Sequence, residues 1–115
     1  MVDDKPRLNY VMAFLSEILR FRNALPIGVF HKTMVDCKLG KHNIPENTRV
    51  VLHQYCILMD QAHWDKPDKF IPERWFDNEG QFLSNKPAAY IPFSYGRRIC
   101  PGEMLAINDL FLALR

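Results

Sequence analysis

The sequence predicts a mainly α fold with a small antiparallel β-sheet, an α+β arrangement, on three observations. Apolar residues at helical spacing run near the start of the chain, and a second, almost wholly apolar run closes it. Between them lie short β-branched stretches separated by turn clusters. A long aromatic-rich segment without any period then leads to a glycine-framed loop. At 115 residues the chain suits one modest domain, read as a single unit over residues 1–115. Its 48% hydrophobic and 24% charged residues exclude a disordered chain.

Net charge is +2, with eight Lys/Arg against five Asp/Glu up to Ile57, too mild a bias for a nucleic-acid partner. Cys37, Cys56 and Cys100 show no C-x-x-C spacing and the histidines form no paired ligand motif. Neither a disulfide framework nor a zinc site is therefore expected, and a reducing compartment fits. The apolar runs fall far short of the roughly 20 residues that span a bilayer, and no stretch reads as a signal peptide.

Leu8, Val11, Met12, Leu15, Ile18 and Leu19 recur at i, i+3, i+4 spacing, which predicts a helix from Arg7 to Arg22, stopped before Pro26. Glu17 and Arg20 lie one turn apart, nearly opposite that stripe, where a solvated ion pair is the ordinary reading. Tyr10, Ala13, Phe14 and Phe21 surround them, however, and leave only Asn9, Ser16 and Asn23 as a narrow polar strip. The helix should be buried on nearly all faces. A buried pair must find further hydrogen bonds, because desolvating each charge costs several kcal/mol.

Leu25 to Phe30 is an apolar run that proline and glycine keep from being helical; it reads as a strand entering a core. Phe30 to Val35 and Thr48 to Leu52 read as strands of the small sheet, with turn clusters at Gly40 to Asn43 and Pro45 to Thr48. Cys37 and His42 read as exposed bystanders. Gln54 to Asp60 reads as a short helix with Cys56 packed inside it. From His63 to Lys86 prolines, Asp77, Asn78 and Gly80 break every regular element. A loop of that length needs pins, which Trp64, Phe70, Trp75, Phe76 and Phe82 supply. The closing helix, about Gly102 to Arg115, is apolar on almost every side and calls for complete burial.

Phe93-Ser94-Tyr95-Gly96-Arg97-Arg98-Ile99-Cys100-Pro101-Gly102 stands just before that helix. Its glycines allow backbone geometry closed to other residues and a close approach to a flat ligand. Arg98 places a permanent cation beside Cys100, and a helix mouth favours the thiolate form that a metal needs. A lone cysteine before an apolar helix is ordinarily packing. Five fixed positions, Phe-x-x-Gly-x-Arg-x-Cys-x-Gly, argue otherwise, since a chance match is on the order of one in 10⁵. No motif pairs Cys100 with a base, which excludes a cysteine-nucleophile hydrolase.

This run resembles the signature of the cytochrome P450 family, the haem-thiolate monooxygenases. The resemblance implies Cys100 as axial ligand of the haem iron, Arg98 as partner of a haem propionate, Phe93 over the sulfur side of the ring, and Gly102 beside the cofactor. Glu17-x-x-Arg20, followed by Pro72-Glu73-Arg74-Trp75, resembles the family's structural triad of Glu17, Arg20 and Arg74, with Trp75 where phenylalanine is common. His63 to Arg74 resembles its meander. By the same resemblance Leu25, Ile27, Val29 and Phe30 would line an apolar substrate cavity. His31 would join Arg98 at the propionates, although a lone histidine is ordinarily a surface residue.

The implied whole is the proximal, haem-ligating portion of a longer fold. It would use haem, O2 and a small lipophilic substrate, with electrons from an NADPH-dependent flavoprotein reductase. Arg97 and Lys86 would serve as contacts for that reductase or simply as solvated charges. Animal relatives imply the cytoplasmic face of the endoplasmic reticulum membrane. The distal oxygen-activating helix has no counterpart here. The chain is therefore expected to be a fragment cut within its last helix and inactive alone. The other reading is a truncated, non-catalytic haem-binding or interaction remnant.

Overall fold

The computed structural model describes residues 7–83 and 85–114. It is mostly helical with small antiparallel sheets. Helix α1 runs Asn9–Phe21; four short strands follow, β1 (His31–Lys32), β2 (Cys37–Leu39), β3 (His42–Ile44) and β4 (Arg49–Val50). Helix α2 (Gln54–Leu58) and 3-10 turns at Pro72–Trp75 and Gly96–Arg98 precede helix α3 (Glu103–Leu114).

The outer strands pair as expected, His31 opposite Val50 and Lys32 opposite Arg49. The inner segment corrects the sequence reading. Gly40 to Asn43 reads as a turn cluster, yet His42 and Asn43 belong to β3, which pairs with β2 through Lys38 opposite Asn43. The turn itself is only Gly40-Lys41, with Gly40 at φ +58°, a conformation that glycine adopts without strain.

Helix α1 meets one expectation, the burial of its charged side, and corrects another. Its buried residues are Ala13, Leu15, Ser16, Glu17 and Arg20, so the face bearing the charges is the one turned inward. Val11, Met12, Ile18 and Leu19, the expected core stripe, are only half-buried. The reason is what packs there. Trp64, Trp75, Leu58, Ala89 and Ile91 gather round Ala13 to form the core, and the 3-10 turn at Pro72–Trp75 lies along α1. Trp75 packs edge-on against Tyr90 at 4.6 Å between ring centroids, and Phe70 packs edge-on against Phe14 and Phe21.

Helix α3 packs on α1 and buries Phe111, but Met104 and Leu105 are both 66% exposed. The complete burial expected of it is not met by the described residues. The radius of gyration is 16.4 Å, where a compact domain of this length has about 13 Å. Cys56, expected in the packing, is exposed: α2 turns Gln54 and Leu58 inward instead. Its first turn is capped by His53, whose Nδ1 accepts the Cys56 N–H at 3.3 Å.

Candidate functional site: a cysteine-lined cavity held by a buried ion triad

The triad residues meet. Arg20 donates through Nε and Nη2 to the two oxygens of Glu17 at 2.9 and 2.8 Å, a bidentate pair. Its remaining N–H groups reach the carbonyls of Leu58 (2.8 Å), Pro67 (3.1 Å) and Lys69 (3.1 Å). Every guanidinium donor thus has a partner, which is what a fully buried arginine requires. Arg74 donates from Nε to Glu17 Oε1 at 3.1 Å and from Nη1 to the Asp65 carbonyl at 2.9 Å.

Glu17 also accepts the Ile71 backbone N–H at 2.9 Å and the Trp75 indole N–H at 3.0 Å. Burial pushes its carboxyl up; the bonds from Arg20, Ile71 and Trp75 outweigh that and hold it below the ordinary value of 4.5. The helix α1 carboxylate therefore stays charged and fastens the unpatterned 58–75 stretch to α1. Trp75 as a carboxylate partner is something the sequence reading passed over, treating it as an aromatic exchange.

The cysteine loop is tied at both ends. The Cys100 N–H donates to the Phe93 carbonyl at 2.9 Å and the Ile99 N–H to Gly96 at 3.2 Å. Ser94 and Gly96 take positive φ, 71° and 75°. Ser94 does so without the glycine freedom, a local strain held by its N–H bond to Ile91 at 3.0 Å. Asn23, just past α1, donates Nδ2 to the Pro92 carbonyl at 3.1 Å and accepts the Leu25 N–H at 2.8 Å. One side chain thus links the helix exit, the Leu25 turn and the residue before Phe93.

These ties bring Phe93, Arg98, Cys100 and His31 to one cavity of about 340 Å³, with Leu25, Val29, Ala24, Gly28, Pro92, Ser94, Pro101 and Gln54. Ile27 and Phe30 do not line it. Phe30 instead lies under the Arg49 guanidinium at 5.4 Å. Gly102 is not part of the lining either, and a Cβ there would sit 3.8 Å from Cys100 Sγ, ordinary contact. Arg98 and Cys100 are exposed, with no ion pair to Arg98 among the described residues.

Gly28 holds the floor. It sits at φ +62°, and a Cβ would lie 3.0 Å from the Leu52 carbonyl, so only glycine fits the turn. Gln54 beside it, 4% exposed, has a buried Oε1 with no hydrogen-bond partner among the described residues. Arg97 is exposed in the 3-10 turn, and the Lys86 ammonium lies 4.9 Å from the Tyr90 ring centroid.

No group of three or more His, Cys, Asp or Glu stands together among the described residues to hold a bare metal ion. An iron held by Cys100 would need its remaining ligands from an organic cofactor, and the lining fits one bearing carboxylates: one cysteine sulfur, one guanidinium, one imidazole and apolar walls.

One cysteine, one arginine and one histidine thus line a single cavity on a largely helical scaffold. The cytochrome P450 family model matches residues 1–115, and the chain belongs to the cytochrome P450 family. It is 39% identical to steroid 17-alpha-hydroxylase/17,20 lyase of Gallus gallus over 98% of its length, and 40% identical to cytochrome P450 2D6 of Homo sapiens over 95%. It is also 38% identical to trans-cinnamate 4-monooxygenase of Vigna radiata var. radiata over 96%. In each case it spans 22% of the relative's length.

Proposed function

We propose that this chain is the proximal, haem-ligating part of a monooxygenase that inserts one oxygen atom from O2 into an apolar substrate of the steroid, lipid or xenobiotic class. The observation that carries the reading is the single cavity on which Cys100, Arg98, His31 and Phe93 converge. When bound, haem iron supplies the reductive activation of O2. Cys100 would hold the iron through its sulfur, as a thiolate ligand that favours O–O cleavage.

Arg98 and His31 hold the carboxylate edge of the ring, and Phe93 shields the sulfur from water. Leu25 and Val29 offer the apolar wall that suits a lipophile, and exposed Ile27 and Phe30 on the same segment would add to the substrate-facing surface. Glu17, Arg20 and Arg74 act structurally, holding the loops that carry the site. Electrons come from an NADPH-dependent flavoprotein reductase, for which exposed Arg97 and Lys86 offer positive contacts. The complete protein would act at the cytoplasmic face of the endoplasmic reticulum membrane. No helix among the described residues is long and apolar enough to cross a membrane.

The names of the relatives support a hydroxylating activity and differ in substrate, so the substrate class rests on the apolar wall alone. A second reading, a non-catalytic haem-binding remnant, is favoured by the exposed apolar faces of α3. The test is turnover of the complete protein with reductase, NADPH, isotopically labelled O2 and a panel of steroids, fatty acids and xenobiotics. One labelled oxygen atom in the product is the expected result. Haem bound through thiolate with no labelled product would favour the remnant.

A further inference from the structure

We infer that Asn23 is a positioning residue of the cofactor site: its one carboxamide sets the segment carrying Phe93 and Cys100 against the turn carrying Leu25. Where the Cys100 sulfur stands depends on that setting. The inference rests on the haem-thiolate reading above. Three observations carry it. Asn23 Nδ2 donates to the Pro92 carbonyl at 3.1 Å while its Oδ1 accepts the Leu25 N–H at 2.8 Å. The residues at the two ends, Leu25 and Pro92, line the cavity that Phe93 and Cys100 also line. One peptide beyond Pro92, the Phe93 carbonyl accepts the Cys100 N–H at 2.9 Å.

A side chain that only closes a helix bonds to backbone within a few residues of it. Asn23 does this on one side, at Leu25, and spends the other half of its amide on a carbonyl 69 positions away. The exit of α1 is already closed by the Arg22 N–H on the Ile18 carbonyl at 2.8 Å, so the reach to Pro92 is not needed to end the helix. No backbone N–H among the described residues bonds the Pro92 carbonyl, and the Asn23 amide supplies that bond.

The tie falls where small movements matter. Proline fixes its own φ and stiffens the step into Phe93. Ser94 then takes a φ of 71°, which a residue other than glycine keeps only where its surroundings over-determine it. The bonds from Asn23 to Pro92, from Ser94 to Ile91 and from Cys100 to Phe93 are those constraints. At its other end the tie is anchored, because Arg20, one turn before Asn23, is locked by Glu17 and by the carbonyls of Leu58, Pro67 and Lys69. Groups that stand behind a metal ligand orient it and tune its bond to the metal, and Asn23 stands behind Cys100 in that sense.

The test compares parent, Asn23→Asp, Asn23→Ala and Asn9→Ala in the complete haem-loaded protein. The readouts are the iron–sulfur stretching band in resonance Raman and hydrogen exchange at the Leu25 amide. Asn23→Asp has nearly the parental shape, keeps the acceptor for Leu25 and loses the donor to Pro92. It should shift and broaden the iron–sulfur band with Leu25 exchange unchanged. Asn23→Ala loses both bonds, so the band should move and the Leu25 amide should exchange faster. Asn9→Ala removes a bond at the far end of the same helix, Asn9 Nδ2 to Gln81 Oε1 at 2.8 Å, and should leave the band parental. An unshifted band in both Asn23 variants would overturn the inference. So would an equal shift in Asn9→Ala, which would make the effect a general loosening of α1. A parent with no iron–sulfur band at all would instead overturn the haem-thiolate reading itself, a separate failure.

Discussion

The Trp75 indole N–H donates to Glu17 Oε2 across 3.0 Å, joining residues 58 positions apart in a site where both side chains are fully buried. The bond gives the second carboxylate oxygen a partner besides Arg20. Replacing Trp75 by Phe keeps the ring and removes the donor. In the complete protein Trp75→Phe should cost about 1.5–3 kcal/mol, the range for a hydrogen bond to a charged group, read from urea unfolding. An unchanged midpoint and slope would show that the indole bond contributes nothing.

Glu17→Ala strands two arginines in a site from which water is excluded. The expected loss is about 3–5 kcal/mol, seen as low yield and poor haem occupancy. Normal expression with full haem would refute a structural role for the triad.

The depressed acidity of Glu17 gives stability a direction with pH. Its folded value lies below the ordinary 4.5, so the unfolded chain binds the proton more readily in acid. The stabilisation is complete above that ordinary value and is lost as pH falls through the folded one. Urea midpoints of the parent should therefore drop on acidification more than those of Glu17→Gln. Parallel pH profiles would contradict this.

Gly28→Ala sets a Cβ 3.0 Å from the Leu52 carbonyl at a φ of +62°. Strain of about 1–3 kcal/mol is expected, with loosening of the cavity floor visible as faster hydrogen exchange at Gly28 and Tyr55. Parental stability would show that the turn can relax.

Much of this was legible in the sequence, because five spaced residues around Cys100 and the Glu-x-x-Arg pair name a family by chemistry that few other patterns share. The burial of Glu17 and Arg20 was legible, but the shallower burial of the apolar stripe was not, for a physical reason. Periodicity ranks faces by apolarity, and here a satisfied ion cluster buries its face more completely than Val11, Met12, Ile18 and Leu19 bury theirs. The β2–β3 hairpin was hidden because its strands are only three residues each and its exposed residues carry no alternation. Asn23 escaped because it acts through one long-range geometry. Asn23 reaches Pro92, 69 positions away, and nothing local announces it.

The central claim is that Cys100 ligates haem iron, and the ferrous-carbonyl spectrum of the complete protein tests it most directly. The parent should give the red-shifted band of a thiolate-bound haem, and Cys100→Ala should abolish it while Cys56→Ala and Cys37→Ala leave it intact. A Cys100→Ala protein with the parental band would contradict the assignment.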